Sequence, residues 1–305
     1  MTTVSTSTGA YYQRSLSQMN GLRDALERLQ NQIATGQRIE RGSEDPAAAS
    51  RLRALTRVET LADIQEENAA KLAQDLTFAA DEVGGVADLL IRARELAIRG
   101  GNDTLDEVAR AAVAEELEQL GEELFDRANS LTLTREPLFA GTAAGPAYIR
   151  DAAGVVVYNG NNENGAVPVA SGTEIERGVT GPEVFEFELN GAPTTTFAVL
   201  ADLVDAFRGN AGNPATASVA AIDGLDAALD AASRNQAVLG TRLAWVEVIE
   251  QNQADRAIAT AEQRSEVGDT ELADALARLQ QTLTALEASQ ASFARVSTLT
   301  LFNAI

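Results

Sequence analysis

Chemistry at neutral pH usually rests on histidine, cysteine or a tuned carboxylate, and this 305-residue chain contains neither histidine nor cysteine. Triads built on imidazole are thereby excluded, as are thiolate catalysis, disulfides and cysteine-ligated zinc. Carboxylates remain. Glu66-Glu67, Glu115-Glu116 and Glu122-Glu123 are adjacent pairs, but neighbours on a helix point about 100° apart, so these read as solvated faces rather than acid/base dyads. The run Asn159-Gly160-Asn161-Asn162-Glu163-Asn164-Gly165 invites comparison with a calcium loop. It lacks the opening Asp, the central Gly and the closing bidentate Glu of such a loop, and two Asn-Gly turns describe it better. No glycine-rich phosphate loop of the G-x-x-x-x-G-K type occurs. The single Trp, Trp245, is expected to pack on a helix flank. The expectation is therefore no catalytic residues, no cofactor and no metal.

What the sequence does repeat is an apolar spacing. Between Asp269 and Ile305, Leu272, Leu276, Leu279, Leu283, Leu286, Phe293 and Val296 step by four and three, with one heptad interrupted at Gln290. Near the other end Met19, Leu22, Leu26, Leu29 and Ile33 follow the same rhythm, with Arg, Asp, Glu and Gln between them. These are coiled-coil seams, and the two ends are expected to pair. Their apolar side chains contribute about 2 kcal/mol each and helix hydrogen bonds about 1 kcal/mol each. Together these about offset the roughly 1.5 kcal/mol per residue lost in ordering the pair. The pair is near break-even alone and is expected to become firmly ordered when further copies cover its remaining faces. These twelve residues are the candidate assembly interface.

Composition supports an extended helical protein. Aromatics are 5%, and Ala, Leu, Glu, Gln and Arg dominate long stretches. A net charge of −21 offers no cation excess to displace phosphate counterions, so a general nucleic-acid binder is excluded. The charge is uneven: residues 1–58 hold eight Arg against five acids, leaving sixteen bases against forty acids in the remainder. That basic start has the sign to meet acidic surfaces of neighbouring copies. Met1 to Gly9 is Thr/Ser-rich, with neither a basic n-region nor an apolar h-region, so no cleaved secretory signal is expected. No apolar run approaches the 18 or so residues that a membrane helix needs.

In chain order, Asp45 as N-cap with Pro46 behind it predicts a long helix from Pro46 towards Arg99, with a possible kink at Gly84-Gly85. Thr104 and Glu107 predict a capping box for a further helix to about Leu131. From Pro137 the character becomes β-rich, with strand candidates at Val155 to Tyr158 and Val184 to Leu189. Phe185, Phe187 and Leu189 would share one strand face, and Asn190-Gly191 would turn the chain into Thr194 to Val199 through a loop longer than two residues. A short helix, Leu200 to Arg208, precedes a third long one from Ala215 to about Val267. In that helix Ile222, Leu225, Leu229, Ala232, Gln236, Leu239, Leu243, Val246 and Gln253 keep the heptad step. The expected fold is mainly α: a long antiparallel helical bundle with paired N- and C-terminal coiled-coil helices and a β-rich insert at the distal end.

Thr35-Gly36-Gln37-Arg38-Ile39, followed by Ser43-Glu44-Asp45-Pro46-Ala47, resembles the segment shared by flagellins and hook-associated proteins, where T-G-x-R precedes a D-D-P-A-like helix start. Here Glu44 stands for the first Asp, and Thr3-Val4-Ser5-Thr6 only approximates the usual R-I-S-T opening. The ending Leu299-Thr300-Leu301-Phe302 is similar to that family too. Leu138-Phe139-Ala140-Gly141-Thr142, Tyr158-Asn159-Gly160 and Gly181-Pro182-Glu183-Val184-Phe185 resemble its hook–filament junction branch more than flagellins. Gly36, Arg38, Asp45, Pro46, Phe139 and Gly141 are the motif positions.

The resemblance implies an extracellular structural subunit of the bacterial flagellum, exported through the flagellar type III channel without a cleaved signal. Its implied partners are other copies of itself, a neighbouring hook-associated protein on the hook side, flagellin on the filament side and an export chaperone, with no nucleic acid and no membrane. It implies an inner, tube-lining domain from residues 1–42 and 269–305, a long-helix shell from 43–136 and 210–268, and an outward-facing insert from 137–209. The alternative within the family is a filament subunit. An enzyme such as a glycan hydrolase on a flagellar scaffold is the least favoured reading, since the acid pairs are unremarkable. In the free monomer, residues of about 1–40 and 269–305 should exchange their amide hydrogens faster than the shell helices. Slow exchange at Leu276 to Leu286 in dilute protein would contradict the near break-even balance of the terminal pair.

Overall fold

The computed structural model describes residues 3–132 and 134–302. Among them the order is α1 (Thr3–Thr35), α2 (Pro46–Gly100) and α3 (Glu107–Ala128), then β1 (Tyr148–Arg150), β2 (Val156–Tyr158), β3 (Ala166–Ala170) and β4 (Thr173–Glu176). A short helix α4 (Gly181–Phe185), β5 (Glu186–Leu189), β6 (Ala192–Thr195) and α5 (Thr196–Phe207) follow. The long α6 (Pro214–Gly268) and α7 (Leu272–Phe302) complete the chain. The protein is mainly helical, and it divides into two compact units. One is formed by the two ends of the chain, up to Leu61 and from Arg256 onward; the other is Ala62–Asp255.

Helix starts follow local chemistry. The Asp45 carboxylate accepts from the Ala48 amide at 3.0 Å and Pro46 has no amide to leave unsatisfied, so α2 begins where the sequence predicts. It then runs to Gly100 without a break, and Gly84-Gly85 is no interruption. A Cβ at Gly85 would collide with the Arg127 guanidinium, and one at Gly84 would stand 3.2 Å from the Gln236 amide. The two glycines make room for neighbours. Helix α3 starts two residues later than a Thr104 cap would have it. Asp106 is the N-cap, accepting from the Ala109 amide at 2.7 Å, while the Thr104 hydroxyl bonds Asn102 at 2.9 Å.

The strands form three separate antiparallel ribbons, β1/β2, β3/β4 and β5/β6. Val184 and Phe185 end helix α4 rather than opening a strand, because the Glu183 carboxylate accepts from the Thr180 amide at 2.6 Å and caps the turn. Leu189 faces Ala192 across a two-residue Asn190-Gly191 turn, with φ of 54° and 78°. Asn and Gly both tolerate that left-handed backbone, so the loop is shorter than the sequence reading gave. Thr195 then caps α5 by accepting from the Ala198 amide at 3.0 Å, which turns Thr196 to Val199 helical.

The core of the Ala62–Asp255 unit is built on heptad stripes. On α2 the buried positions include Ala69, Leu72, Leu76, Ala79, Val83, Val86, Leu90, Ala93, Leu96 and Ala97. On α6 they include Ser218, Ala221, Leu225, Ala228, Ala231, Ala232, Leu239, Val246, Ile249 and Gln253. The latter differs from the expected seam, since Ile222, Leu229 and Leu243 are only half-buried and Gln236 is exposed. Alanine lets helices approach closely, so the buried line shifts by one residue onto Ala221 and Ala228 and the larger side chains flank it. Trp245 is 54% exposed and its neighbour Val246 is the buried one, contrary to the expected packing role. Val113, Ala114, Leu117, Leu124 and Ala128 of α3 join the same core.

At one place this core becomes aromatic. Phe185 lies 5.6 Å from Phe139, 5.4 Å from Tyr148 and 5.4 Å from Phe197 between ring centroids. Phe139 has no exposed surface. Phe139→Ala should therefore lower the stability of this unit by roughly 3–5 kcal/mol. Urea denaturation followed by circular dichroism reads that loss, and a change under 1 kcal/mol would mean that the cluster collapses around the cavity.

Candidate assembly surfaces

The end-derived unit is joined where both chain segments leave their helices. Gly36, at φ 73°, stops α1, and its carbonyl accepts from the Thr270 amide at 2.8 Å. The Arg38 amide donates to the Gly268 carbonyl at 2.7 Å, so Gln37 and Asp269 pair as an antiparallel bridge. Arg38 also donates from Nε (3.2 Å) and Nη2 (2.7 Å) to the Val267 carbonyl, one of the orphan acceptors at the C-terminus of α6. On its other side Arg38 stands 3.6 Å from the Asp45 carboxylate that caps α2. The motif residues Gly36 and Arg38 thus form one half of a backbone clasp, with Asp45 beside Arg38 and Pro46 opening the helix that Asp45 caps. Sequence reasoning missed its other half, Gly268 to Thr270, which carries only the signal of a helix break.

Beyond the clasp α1 and α7 pack together, and Tyr12 meets Phe293 edge-on at 5.2 Å. On α1, Met19 is buried and Leu22, Leu26, Leu29 and Ile33 are half-buried, in the heptad that the sequence traced. On α7 the covered line is Ala275, Leu279, Thr282, Leu286, Ser289, Phe293 and Val296. Leu272, Leu276 and Leu283 lie outside it, 53%, 44% and 38% exposed. The leucines of α7 therefore belong to two adjoining lines, of which the chain itself covers one. Side chains of Thr3 to Thr6 and Leu299 to Phe302 lie outside the described residues.

The remaining motifs converge in the other unit. Gly141 has φ 68°, and a Cβ there would strike the Asn161 carbonyl oxygen. Asn161 accepts from the Thr142 amide at 3.0 Å and donates its own amide to the Ala140 carbonyl at 3.1 Å. The Tyr158 hydroxyl lies 2.6 Å from the Asn161 carbonyl oxygen and 3.1 Å from that of Phe139. Gly181 donates to Phe139 at 2.8 Å and lies so close to Tyr148 that a Cβ would approach its ring to 2.7 Å. Burial raises the Tyr148 and Tyr158 phenols above their ordinary range, so both stay protonated at neutral pH. Three stretches far apart in sequence lock one junction of loops, and their residues are structural.

Five of the six acids in the adjacent Glu pairs stand in ion pairs. Glu67 meets Lys71 at 2.7 Å, Glu116 meets Arg92 at 2.5 Å, Glu122 meets Arg150 at 2.6 Å and Glu123 meets Arg127 at 3.4 Å. Glu115 stands 3.6 Å from Arg208. A cleft of about 480 Å³ runs beside Leu138, Gly141 and Thr142, and of its two guanidiniums, Arg135 and Arg177, the latter is engaged by Asp75 and Glu136. Among the described residues no group of three or more acids is arranged to hold a metal.

The ends of the chain wind together, and the motif residues hold backbone groups. Residues 6–144 match the bacterial flagellin N-terminal helical region. Over 97% of its length the chain is similar to flagellar hook-associated protein 3 of Salmonella typhimurium, at 27% identity and covering 98% of that protein. It is similar over the same share to flagellar hook-associated protein 3 of Escherichia coli, at 24% identity and 98% coverage. In fold it is similar to flagellar hook-associated protein 3 of Legionella pneumophila, with TM-score 0.64 at 15% identity, covering 71% of this chain and 98% of that one. Bacillus cereus FlgL gives a TM-score of 0.56 at 16% identity, over 70% and 99% of the two chains. These relatives are flagellar structural proteins.

Arg38→Ala removes the donor to Val267 and leaves that carbonyl to water. A charge-assisted bond at a half-exposed site is worth about 1 kcal/mol. Hydrogen exchange at the Arg38 and Thr270 amides should accelerate about fivefold while the Ala62–Asp255 unit is unchanged. Unaltered exchange at both amides would show that the clasp does not depend on the guanidinium.

Proposed function

We propose that this chain forms the junction between hook and filament of the bacterial flagellum, assembled through its terminal coiled-coil helices. The observation that carries the reading is co-extension: similarity to hook-associated protein 3 runs end to end in both proteins, insert included. The fold adds a physical reason for polymerisation. The terminal pair covers one leucine line and leaves Leu272, Leu276 and Leu283 exposed, which is apolar surface that further copies would remove from water. On this reading residues 1–42 and 269–305 form the inner tube, 43–136 and 210–268 the shell, and 137–209 the outward insert. The partners are other copies, a hook-associated protein on the hook side, flagellin on the filament side and an export chaperone, and the subunit reaches the cell exterior without a cleaved signal. It performs no catalysis.

A filament subunit is the second reading, because the match over residues 6–144 is to the flagellin N-terminal helical region. The two differ in a surface property. A filament subunit adds indefinitely to its own kind, so its upper and lower contacts match each other and give an open helical polymer. A junction protein faces two different partners, and addition of its own copies stops after a thin layer. Purified full-length chain, concentrated, salted and seeded with sheared fragments, should stay monomeric or form short oligomers in electron micrographs. Long regular filaments of this protein alone would replace the junction reading with the filament one.

A further inference from the structure

The end-derived unit carries further exposed apolar side chains on α2 and α6. Within it α2 and α6 run alongside each other: Arg264 donates to Glu59 at 2.8 Å, and Leu52 lies against Gly268. With successive residues roughly 100° apart, the edge of α2 turned away from α6 holds Ala54, Arg57, Val58 and Leu61, with Arg51 beside them. Val58 and Leu61 are 53% and 50% exposed, and Arg51 and Arg57 are exposed without an ion-pair partner among the described residues. No acid lies on that edge. The edge of α6 turned away from α2 holds Ile258, 60% exposed, with Glu262 and Glu266, which also lack partners among the described residues. No base lies on that edge. Glu59 faces Arg264, so the two edges stand at the same level of the helix pair.

We propose that the Arg51, Arg57, Val58, Leu61 edge of one copy docks on the Ile258, Glu262, Glu266 edge of the next. The occupant is a second copy because the complement is present in the chain itself: apolar against apolar, two guanidiniums against two carboxylates, at matching height. In a chain of net charge −21, copies repel unless free cations are placed at the contact, and this edge is such a place. A contact between two different edges is head-to-tail, so it propagates sideways and closes a ring when its rotation allows. The inference rests on the junction reading and specifies one of its lateral contacts.

The test uses cells whose flagella depend on this chain, with the chain immunolabelled at the hook. Arg51→Glu with Arg57→Glu makes both edges acidic, and Glu262→Arg with Glu266→Arg makes both basic. Each line alone should retain at least tenfold fewer labelled subunits at hook tips. Co-expression of the two chains should restore labelling, because acidic and basic copies then alternate. All four positions are exposed on helices, and unchanged circular dichroism of each purified chain checks that it folds. The protein has no native cysteine, so Val58→Cys combined with Glu262→Cys should give an oxidised ladder of linked copies in isolated flagella, and neither single change should. Wild-type labelling in both charge-reversed lines, or loss in both without rescue, overturns the contact; so does absence of the ladder while labelling is normal. A wild-type label spread along the filament would instead remove the junction reading on which the contact rests.

Discussion

The backbone exchange between Gly36 to Arg38 and Val267 to Thr270 fixes the register of everything at the ends of the chain. Heptad helices can slide by one repeat and still bury leucines, so a seam alone leaves the pairing of α1 with α7 degenerate. The clasp removes that freedom. Two amides and one guanidinium find carbonyl partners across 230 or so residues of sequence, and each partner is a group that a helix end or a linker would otherwise leave to water. Arg38 does this while also standing beside the residue that caps α2, so the end of one long helix and the start of another are tied to the same side chain.

Much of this was legible. The helical class, the Asp45 and Pro46 start, the change of character at Pro137 and the α1 seam from Met19 to Ile33 are all readable from spacing and capping chemistry. Two seams were read partly out of place. Leu225, Ala232, Leu239, Val246 and Gln253 on α6 and Leu279, Leu286, Phe293 and Val296 on α7 lie on the covered lines as expected, and the departures share one reason. A leucine count finds the most hydrophobic line, whereas close helix packing selects the smallest residues, so Ala221, Ala228 and Ala275 take positions where Ile222, Leu229 and Leu276 were expected. The β region was readable in kind only. Ribbons such as Ala166–Ala170 with Thr173–Glu176 are too short for a period, and α4 hid inside an alternating run because its cap, Thr180 with Glu183, precedes the aromatic residues.

The motif residues pack closely and hold backbone groups. Gly141, Gly160 and Gly181 are places where another chain segment occupies the volume of a side chain, and Asn161 serves three backbone groups with one residue. A substitution there strikes the meeting of several loops, whereas most of the exposed helical surface is free to change charge and length.

Trp245 gives the molecule an optical handle of its own. It is the only indole in the chain and sits more than half in water on α6, so its emission is that of a wet indole from a single known position. Any event that covers this part of α6 shifts the spectrum to the blue and withdraws the ring from aqueous quenchers. The light emitted by one side chain thereby reports on the Ala62–Asp255 unit with no label attached.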